Sequence, residues 1–202
     1  MGRHRRITII RHGRTELTNE GRFTGHIDIP LSNEGEEEIK KSALSLSAYE
    51  PTQLISSDFL RAKNTANIIG DICSLSPFYD ARLREEDLGG WSGLTHLEAM
   101  TRFPDEYDNW LRGNVLFCKG EREGLNAVAI RARQAVEESL QNNSIHSLLI
   151  VTHLNTSIAL ISSLLNLPPN KWLIFSDLKP ARYASLILSS KNDWLLDAYN
   201  VY

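Results

Sequence analysis

The stretch Ile7-Thr8-Ile9-Ile10-Arg11-His12-Gly13 decides the reading of this chain. A short β-branched run suited to a buried strand stops abruptly at Arg-His-Gly, placing a cation, an imidazole and a flexible backbone at one strand end. An arginine there can draw in a phosphate, and a glycine lets the loop's N–H groups close around its oxygens. The histidine between them suits a nucleophile that attacks phosphorus. Three residues are a short match, so the remainder of the chain has to supply the rest of the chemistry.

Working outward, the polar, glycine-spaced segment from Thr15 to Leu31 reads as an ordered loop. A helix is expected after Ser32 as N-cap, with Glu36, Glu37 and Glu38 in its early turns. Its predicted surface pairs are Glu36–Lys40 and Glu37–Lys41, and Ile39, Ala43 and Leu46 face inward. Leu54-Ile55 predicts a second strand running into Ser56-Ser57-Asp58, which reads as helix-cap chemistry. In the helix that follows, Arg61 falls close to a strand end, as Arg11 does. Phe78-Tyr79 is a short third strand. Irregular helical pieces between Gly93 and Gly124, broken by Pro104 and Gly113, suit a lid over a site. Val128 to Leu140 predicts an amphipathic helix, and Leu148 to Val151 a buried strand ending in Thr152-His153. A helix carrying Ile158, Ala159, Ile161 and Leu165 follows. Ala184 to Leu188 and Trp194 to Tyr199 close the chain as strands.

A β-α-β-α-β order with apolar, unalternating strands predicts a three-layer α/β/α sandwich around a mostly parallel sheet, with a small helical lid at about 94–124. The whole of 1–202 is expected to form a single domain. Ligands of such sheets bind outside the carboxyl ends of the strands, where this sequence gathers Arg11-His12, Arg61 and Thr152-His153. A net charge of −3 gives no reason to expect nucleic acid or a membrane as partner. Two cysteines, Cys73 and Cys118, suggest neither a disulfide framework nor a cysteine metal site. The basic opening Gly2-Arg3-His4-Arg5-Arg6 precedes an apolar run too short for a secretory signal, so a cytoplasmic location is expected.

With these residues named, the chain resembles the histidine phosphatase superfamily, the phosphoglycerate mutase-like proteins, over nearly its whole length. The matching stretches are Arg11-His12-Gly13, Gly21-Arg22-Phe23-Thr24-Gly25, Pro30-Leu31-Ser32 with Gly35, and Ser57-Asp58 with Arg61-Ala62 and Thr65-Ala66. Leu83-Arg84-Glu85 with Gly89, Trp91 and Gly93 follows, then Val151-Thr152-His153. The resemblance implies that His12 forms a phosphohistidine, and that Arg11, Arg61 and His153 donate to the phosphoryl oxygens. Glu85 would be the general acid that protonates the leaving alkoxide and then activates water. Thr18, Thr24, Gly25 and Leu154 would join Arg11, Arg61 and His153 around the phosphate. No metal is implied, because two guanidinium groups occupy a cation's role, and the substrate would be a small phosphate ester.

Three readings follow from the resemblance. The first is a phosphomonoesterase with no cofactor, acting as monomer or homodimer on a phosphoglycerate or sugar-phosphate derivative. Leu83 to His96, Leu167-Pro168 with Trp172, and Trp194 to Asp197 resemble the glucosyl-3-phosphoglycerate phosphatases in particular. The second is a phosphoglycerate mutase primed by 2,3-bisphosphoglycerate, which the modest lid disfavours. The third is an inactive binding module, against which stand the retained His12, Arg11, Arg61, Glu85 and His153. Several positions depart from the family pattern. Arg14 replaces a usual Glu or Gln, Thr18 stands where asparagine is common, and Leu154-Asn155 follows His153 where many members have glycine. Arg122-Glu123-Gly124 takes the place of the family's Gly-Glu-Ser element. Of the other histidines, His4, His26, His96 and His146 read as surface or loop residues, with His26 alone near the pocket mouth.

Overall fold

In a computed structural model, which describes residues 5–112, 122–142 and 144–202, the opening run forms β1 (Arg6–Arg11), whose four central residues are buried. Burial of consecutive residues means that both faces of the strand are covered, and the side chains divide by parity. Ile7 and Ile9 join the core on one side of the sheet, and Ile10 the core on the other. The chain continues through α1 (Glu16–Asn19), α2 (Asn33–Ser47), β2 (Gln53–Ser56), α3 (Leu60–Cys73) and β3 (Phe78–Tyr79). Next come α4 (His96–Arg102), α5 (Pro104–Leu111), α6 (Leu125–Leu140), β4 (Ser147–Thr152) and α7 (Leu154–Leu164), then β5 (Tyr183–Leu188) and β6 (Trp194–Val201). The six strands lie in the order β3-β2-β4-β1-β5-β6. The first four run parallel, and β5 and β6 are antiparallel.

Residues of α2 and α3, including Ile39, Ala43, Leu46, Ala62, Ala66 and Ile69, fill one face with Leu149 and Val151 of β4. Ala132, Ala135 and Val136 of α6 and Leu160, Ile161 and Leu164 of α7 fill the other, with Leu148 and Ile150. The alternation along β4 therefore feeds two separate cores, which gives the expected α/β/α layering. A smaller aromatic core lies apart from both. Leu88, Trp91, Leu94, Ala99 and Tyr107 pack there with Phe23, Phe103 and Trp110, holding α4 and α5 together. Residues 113–121 of the expected lid, with the break expected at Gly113, lie outside the described residues, as do Cys118 and Gly2 to His4.

Three local expectations are corrected. The loop after Arg-His-Gly contains the single turn α1, closed by a capping box in which Thr15 and Thr18 satisfy each other's backbone N–H. Helix α3 does not use Ser56, Ser57 or Asp58 as its cap. Its N-cap is Phe59, and the Leu60 N–H donates instead to Asp28 Oδ1 at 2.6 Å. Asp58 is committed to Arg84, at 2.6 Å, and Ser57 is drawn toward His153. On α2, Lys40 pairs with Glu37 one turn back at 2.6 Å, an i,i+3 contact in place of the i,i+4 pairs.

One close approach ties α2 to the decisive loop. The Ser32 N–H donates to the Arg14 carbonyl at 2.9 Å. A Cβ on Gly35 would lie 2.3 Å from that carbonyl oxygen and 2.7 Å from the Arg14 nitrogen. Both neighbours are backbone, so neither can turn aside. Gly35→Ala is expected to cost about 2 kcal/mol, read as a lower urea midpoint at unchanged m-value. An unchanged midpoint would show that α2 is not seated this tightly.

Candidate active site

Sheet register sets the height of the site. Arg11 is level with Thr152 across β1 and β4, and Val151 with Ser56 across β4 and β2. The next residue of each strand continues the match: the His12 N–H donates to Thr152 O at 2.9 Å, and the Ser57 N–H to Val151 O at 3.0 Å. His12, His153 and Ser57 therefore emerge side by side at the carboxyl edge of the parallel strands. The imidazole centroids of His12 and His153 are 5.1 Å apart.

His12 is buried, and its Nδ1 lies 2.7 Å from the Gly13 carbonyl oxygen. A carbonyl only accepts, so Nδ1 carries the proton and Nε2 presents a lone pair. Burial, and then the Arg61 and Arg11 charges, hold the His12 pKa well below the ordinary histidine value. His153 is fully buried and is held low by the same burial, followed by Arg61, His12 and Arg11. Its Nε2 meets Ser57 Oγ at 2.8 Å, and its Nδ1 has no protein partner.

Both arginines are clamped by carbonyls. Arg61, 0% exposed, donates from Nη1 to Ile27 O and from Nη2 to Gly25 O, each at 2.8 Å. It thus draws the Thr24–Gly25 loop over the sheet edge. Burial lowers its pKa to about 10, against the opposing pull of Glu85 and Asp28. Arg11 donates to Leu178 O at 2.9 Å, and burial lowers its pKa too, opposed by Glu85 and Asp177. The Nε atoms of both arginines are buried without a partner. These two N–H groups and the His153 nitrogen lie at one strand edge, where an oxyanion could satisfy them.

Glu85 faces these cations from the start of α7. Its Oε1 accepts the N–H of Glu86 at 3.0 Å and that of Thr156 at 3.2 Å, and its Oε2 accepts that of Asn155 at 3.4 Å. A helix N-terminus orients the carboxyl group. Its backbone is held from behind: Arg131 donates to the carbonyls of Arg82 at 2.6 Å, Arg84 at 2.7 Å and Glu85 at 3.0 Å, while Glu123 braces that guanidinium.

A cavity of about 500 Å³ opens here, lined by Arg11, His12, Thr18, Thr24, Gly25, Arg61, Glu85 and Leu154. The structure thus brings the sequence-expected residues together around one cavity, with His153 fully buried beside His12 and hydrogen-bonded to Ser57. Thr18 borders the cavity, but its hydroxyl already donates to Thr15 O at 2.8 Å in the capping box. His26 lies beside the cavity, its Nε2 donating to Glu85 O at 2.9 Å. His96 is exposed, as expected, and borders the cavity with Phe23, Trp91 and Trp110. Sequence reading missed this aromatic wall, along with Ser57, Arg131 and Asp177. Only Glu123 carried a signal, through the displaced Gly-Glu-Ser element. The others depend on which loops meet.

Residues 7–201 match the histidine phosphatase superfamily (branch 1). The glucosyl-3-phosphoglycerate phosphatase of Mycolicibacterium vanbaalenii is 31% identical over 215 aligned residues, covering 98% of this chain and 95% of that protein. The solved structure of a mycobacterial glucosyl-3-phosphoglycerate phosphatase with VO3 superposes with a TM-score of 0.92 at 29% identity, over 98% of this chain and all of that one. A protein of Enterobacter sp. (strain 638) named probable phosphoglycerate mutase GpmB is 31% identical over 166 residues, 80% of this chain and 75% of its own length.

The buried titratable groups predict how stability responds to acid. His12 and His153 have folded pKa values below the unfolded value, so below about pH 6.5 the unfolded chain binds more protons and stability falls with pH. Glu86 acts oppositely. Burial pushes its carboxyl up to about 7 from 4.5, so between those values the folded state binds more protons. Two groups against one leave a net loss of about 1.4 kcal/mol per pH unit between about pH 6 and 5. Urea unfolding at several pH values checks this, and Glu86→Gln should make the slope about twice as steep. A flat profile in both proteins would refute the neutral buried histidines.

Proposed function

Because this chain belongs to the histidine phosphatase superfamily, we propose that it is a phosphomonoesterase working through a phosphohistidine on His12, with a glycerate- or sugar-bearing phosphate ester as substrate. The observation that carries this reading is the state of His12. Its Nδ1–H is fixed to Gly13 O, and the two arginines beside it disfavour the charged ring. The Nε2 lone pair is therefore ready to attack at neutral pH.

In the first step the His12 Nε2–P bond forms as the bond from phosphorus to the ester oxygen breaks. Arg11, Arg61 and His153 stabilise the charge on the transferring group's oxygens. Glu85, as the acid, gives its proton to the departing alkoxide. As the carboxylate, it then takes a proton from the water that attacks phosphorus, and phosphate leaves with His12 restored. The N–H donors from Thr156 and Asn155 steady the carboxylate in that second role. Thr24 and Gly25, drawn in by Arg61, close the phosphate end of the cavity. Leu154 and Thr18 border it.

Two further observations favour an ester larger than a simple phosphate. The cavity of about 500 Å³ leaves room beyond a phosphoryl group. Its outer wall is aromatic, with Phe23 and Trp91 5.3 Å apart and Phe23 and Trp110 meeting edge to face at 5.8 Å. Aromatic faces of this kind suit the C–H faces of a sugar ring. The relatives named for glucosyl-3-phosphoglycerate point the same way.

Phosphorus NMR in EDTA tests the reading. Glucosyl-3-phosphoglycerate should yield inorganic phosphate with wild-type protein, at a rate that falls about 10³-fold or more in His12→Asn. Glu85→Gln should lose about 10²- to 10⁴-fold. A 2-phosphoglycerate signal growing from 3-phosphoglycerate would make the protein a mutase. Full activity in His12→Asn would remove the phosphohistidine. Trp110→Ala should lower kcat/KM for the glucosylated ester more than for 3-phosphoglycerate, and equal loss on both would remove the sugar from the aromatic wall.

A further inference from the structure

Two departures from the family pattern, Arg122 and Asn155, line the cavity and meet at Glu86. Arg122 stands at the first position of the stretch that replaces Gly-Glu-Ser, where the family has glycine. Its guanidinium lies over the Trp91 ring at 4.4 Å, in the cavity wall, and its side chain is 10% exposed. Its Nη2 donates to Glu86 Oε1 at 3.0 Å, and its Nε is buried with no partner. Glu86, next to Glu85, shares its other oxygen with Asn155, whose Nδ2 donates to it at 2.8 Å. Asn155 follows Leu154, in the pair that stands after His153 where many members have glycine.

We propose that Arg122 is a specificity-determining residue that binds a carboxylate of the substrate while its phosphoryl group lies between Arg11, His12 and Arg61. The preferred substrates are then phosphate esters of hydroxy acids. This rests on the phosphatase reading above and names the second anionic group that the site selects.

The geometry separates the two anion-binding ends. Arg11 and Arg61 belong to the sheet edge and the first turn of α3, whereas Arg122 approaches just before α6 and lies over Trp91 of the aromatic wall. A guanidinium seated over an indole can still offer its N–H groups to a planar partner, which suits a carboxylate. Its resident counter-ion is a poor competitor. Glu86 is 4% exposed and faces the charges of Glu85 and Glu123 as well as Arg122, so its anionic form is held only weakly. An incoming carboxylate can therefore share Arg122 while Glu86 takes up a proton and keeps its hydrogen bond to Asn155. One partly compensated guanidinium matches one negative charge better than the two of a second phosphate.

A matched pair of esters tests this. 3-Phosphoglycerate and glycerol 3-phosphate differ only by a carboxylate in place of a hydroxymethyl group. Their Kd values are measured by titration calorimetry in the His12→Asn background, where no turnover intervenes. The carboxylated ester should bind about 10- to 100-fold more tightly, the worth of one charge-assisted contact. Arg122→Gln should abolish that preference while leaving glycerol 3-phosphate binding within about threefold. Glu86→Gln, which removes the competing charge and keeps an acceptor oxygen for Arg122, should widen the preference at pH 8. The absence of a preference in the parent overturns the proposal, and so does a preference that survives Arg122→Gln. Equal weakening of both esters by Arg122→Gln, with no gain in Glu86→Gln, also overturns it and leaves Arg122 a packing residue. Wild-type protein that hydrolyses neither ester while the Kd pattern holds would sink the phosphatase reading alone. Hydrolysis of both without the pattern would sink the carboxylate site alone.

Discussion

Two guanidinium groups and two imidazoles are buried together at the carboxyl edge of the sheet, and the rest of the site follows from making that arrangement tolerable. An unpaired buried cation is costly, and like charges in one low-dielectric pocket add to the cost. The protein answers in three ways. Backbone carbonyls of Gly25, Ile27 and Leu178 accept from the arginines. Carboxylates at Glu85, Asp28 and Asp177 lend opposing charge. Both histidines are held neutral, with pKa values driven well below the ordinary range. What these answers leave without a partner is the Nε of each arginine and the Nδ1 of His153, which the phosphoryl group of the proposed reaction would complete.

The same constraint explains why the surrounding loops are so firmly seated. Arg61 cannot hold its carbonyls unless the Thr24–Gly25 loop lies against the start of α3, and Asp28 reinforces that contact through the Leu60 N–H. Glu85 cannot face the cations unless its strand-like segment is fixed. Arg131 fixes it through contacts to three carbonyls, and Glu123 orients Arg131. Electrostatic help of this kind depends on donors and charges that are in place before reaction begins. Rigidity around the site is thus part of its chemistry.

The wall opposite the sheet edge has a different character. Phe23, Trp91, Tyr107 and Trp110 form a small core of their own, which holds α4 and α5 and presents ring faces to the cavity. Arg122 crosses from this wall toward Glu86 and Asn155.

Much of this was legible in the sequence because it is written in local patterns. The β-branched run at Ile7–Ile10 and the apolar run at Leu148–Val151 mean strands covered on both faces, and hence an α/β/α sandwich with a site at the strand ends. Arg11, His12, Arg61 and His153 could be named because each adjoins a strand end or helix start, whereas Glu85 was reached only through the family resemblance. Tertiary structure decided what depends on distant segments meeting. The Arg11–Thr152 register brings the two histidines to one height. Ser57 is diverted from capping α3 to His153, and His96 comes to border the cavity. Glu86, Arg122 and Asn155 lie 36 and 69 residues apart along the chain, measured from Glu86. No periodicity or short motif encodes such a meeting, because the free energy that joins them exists only once the sheet has closed the loops between them.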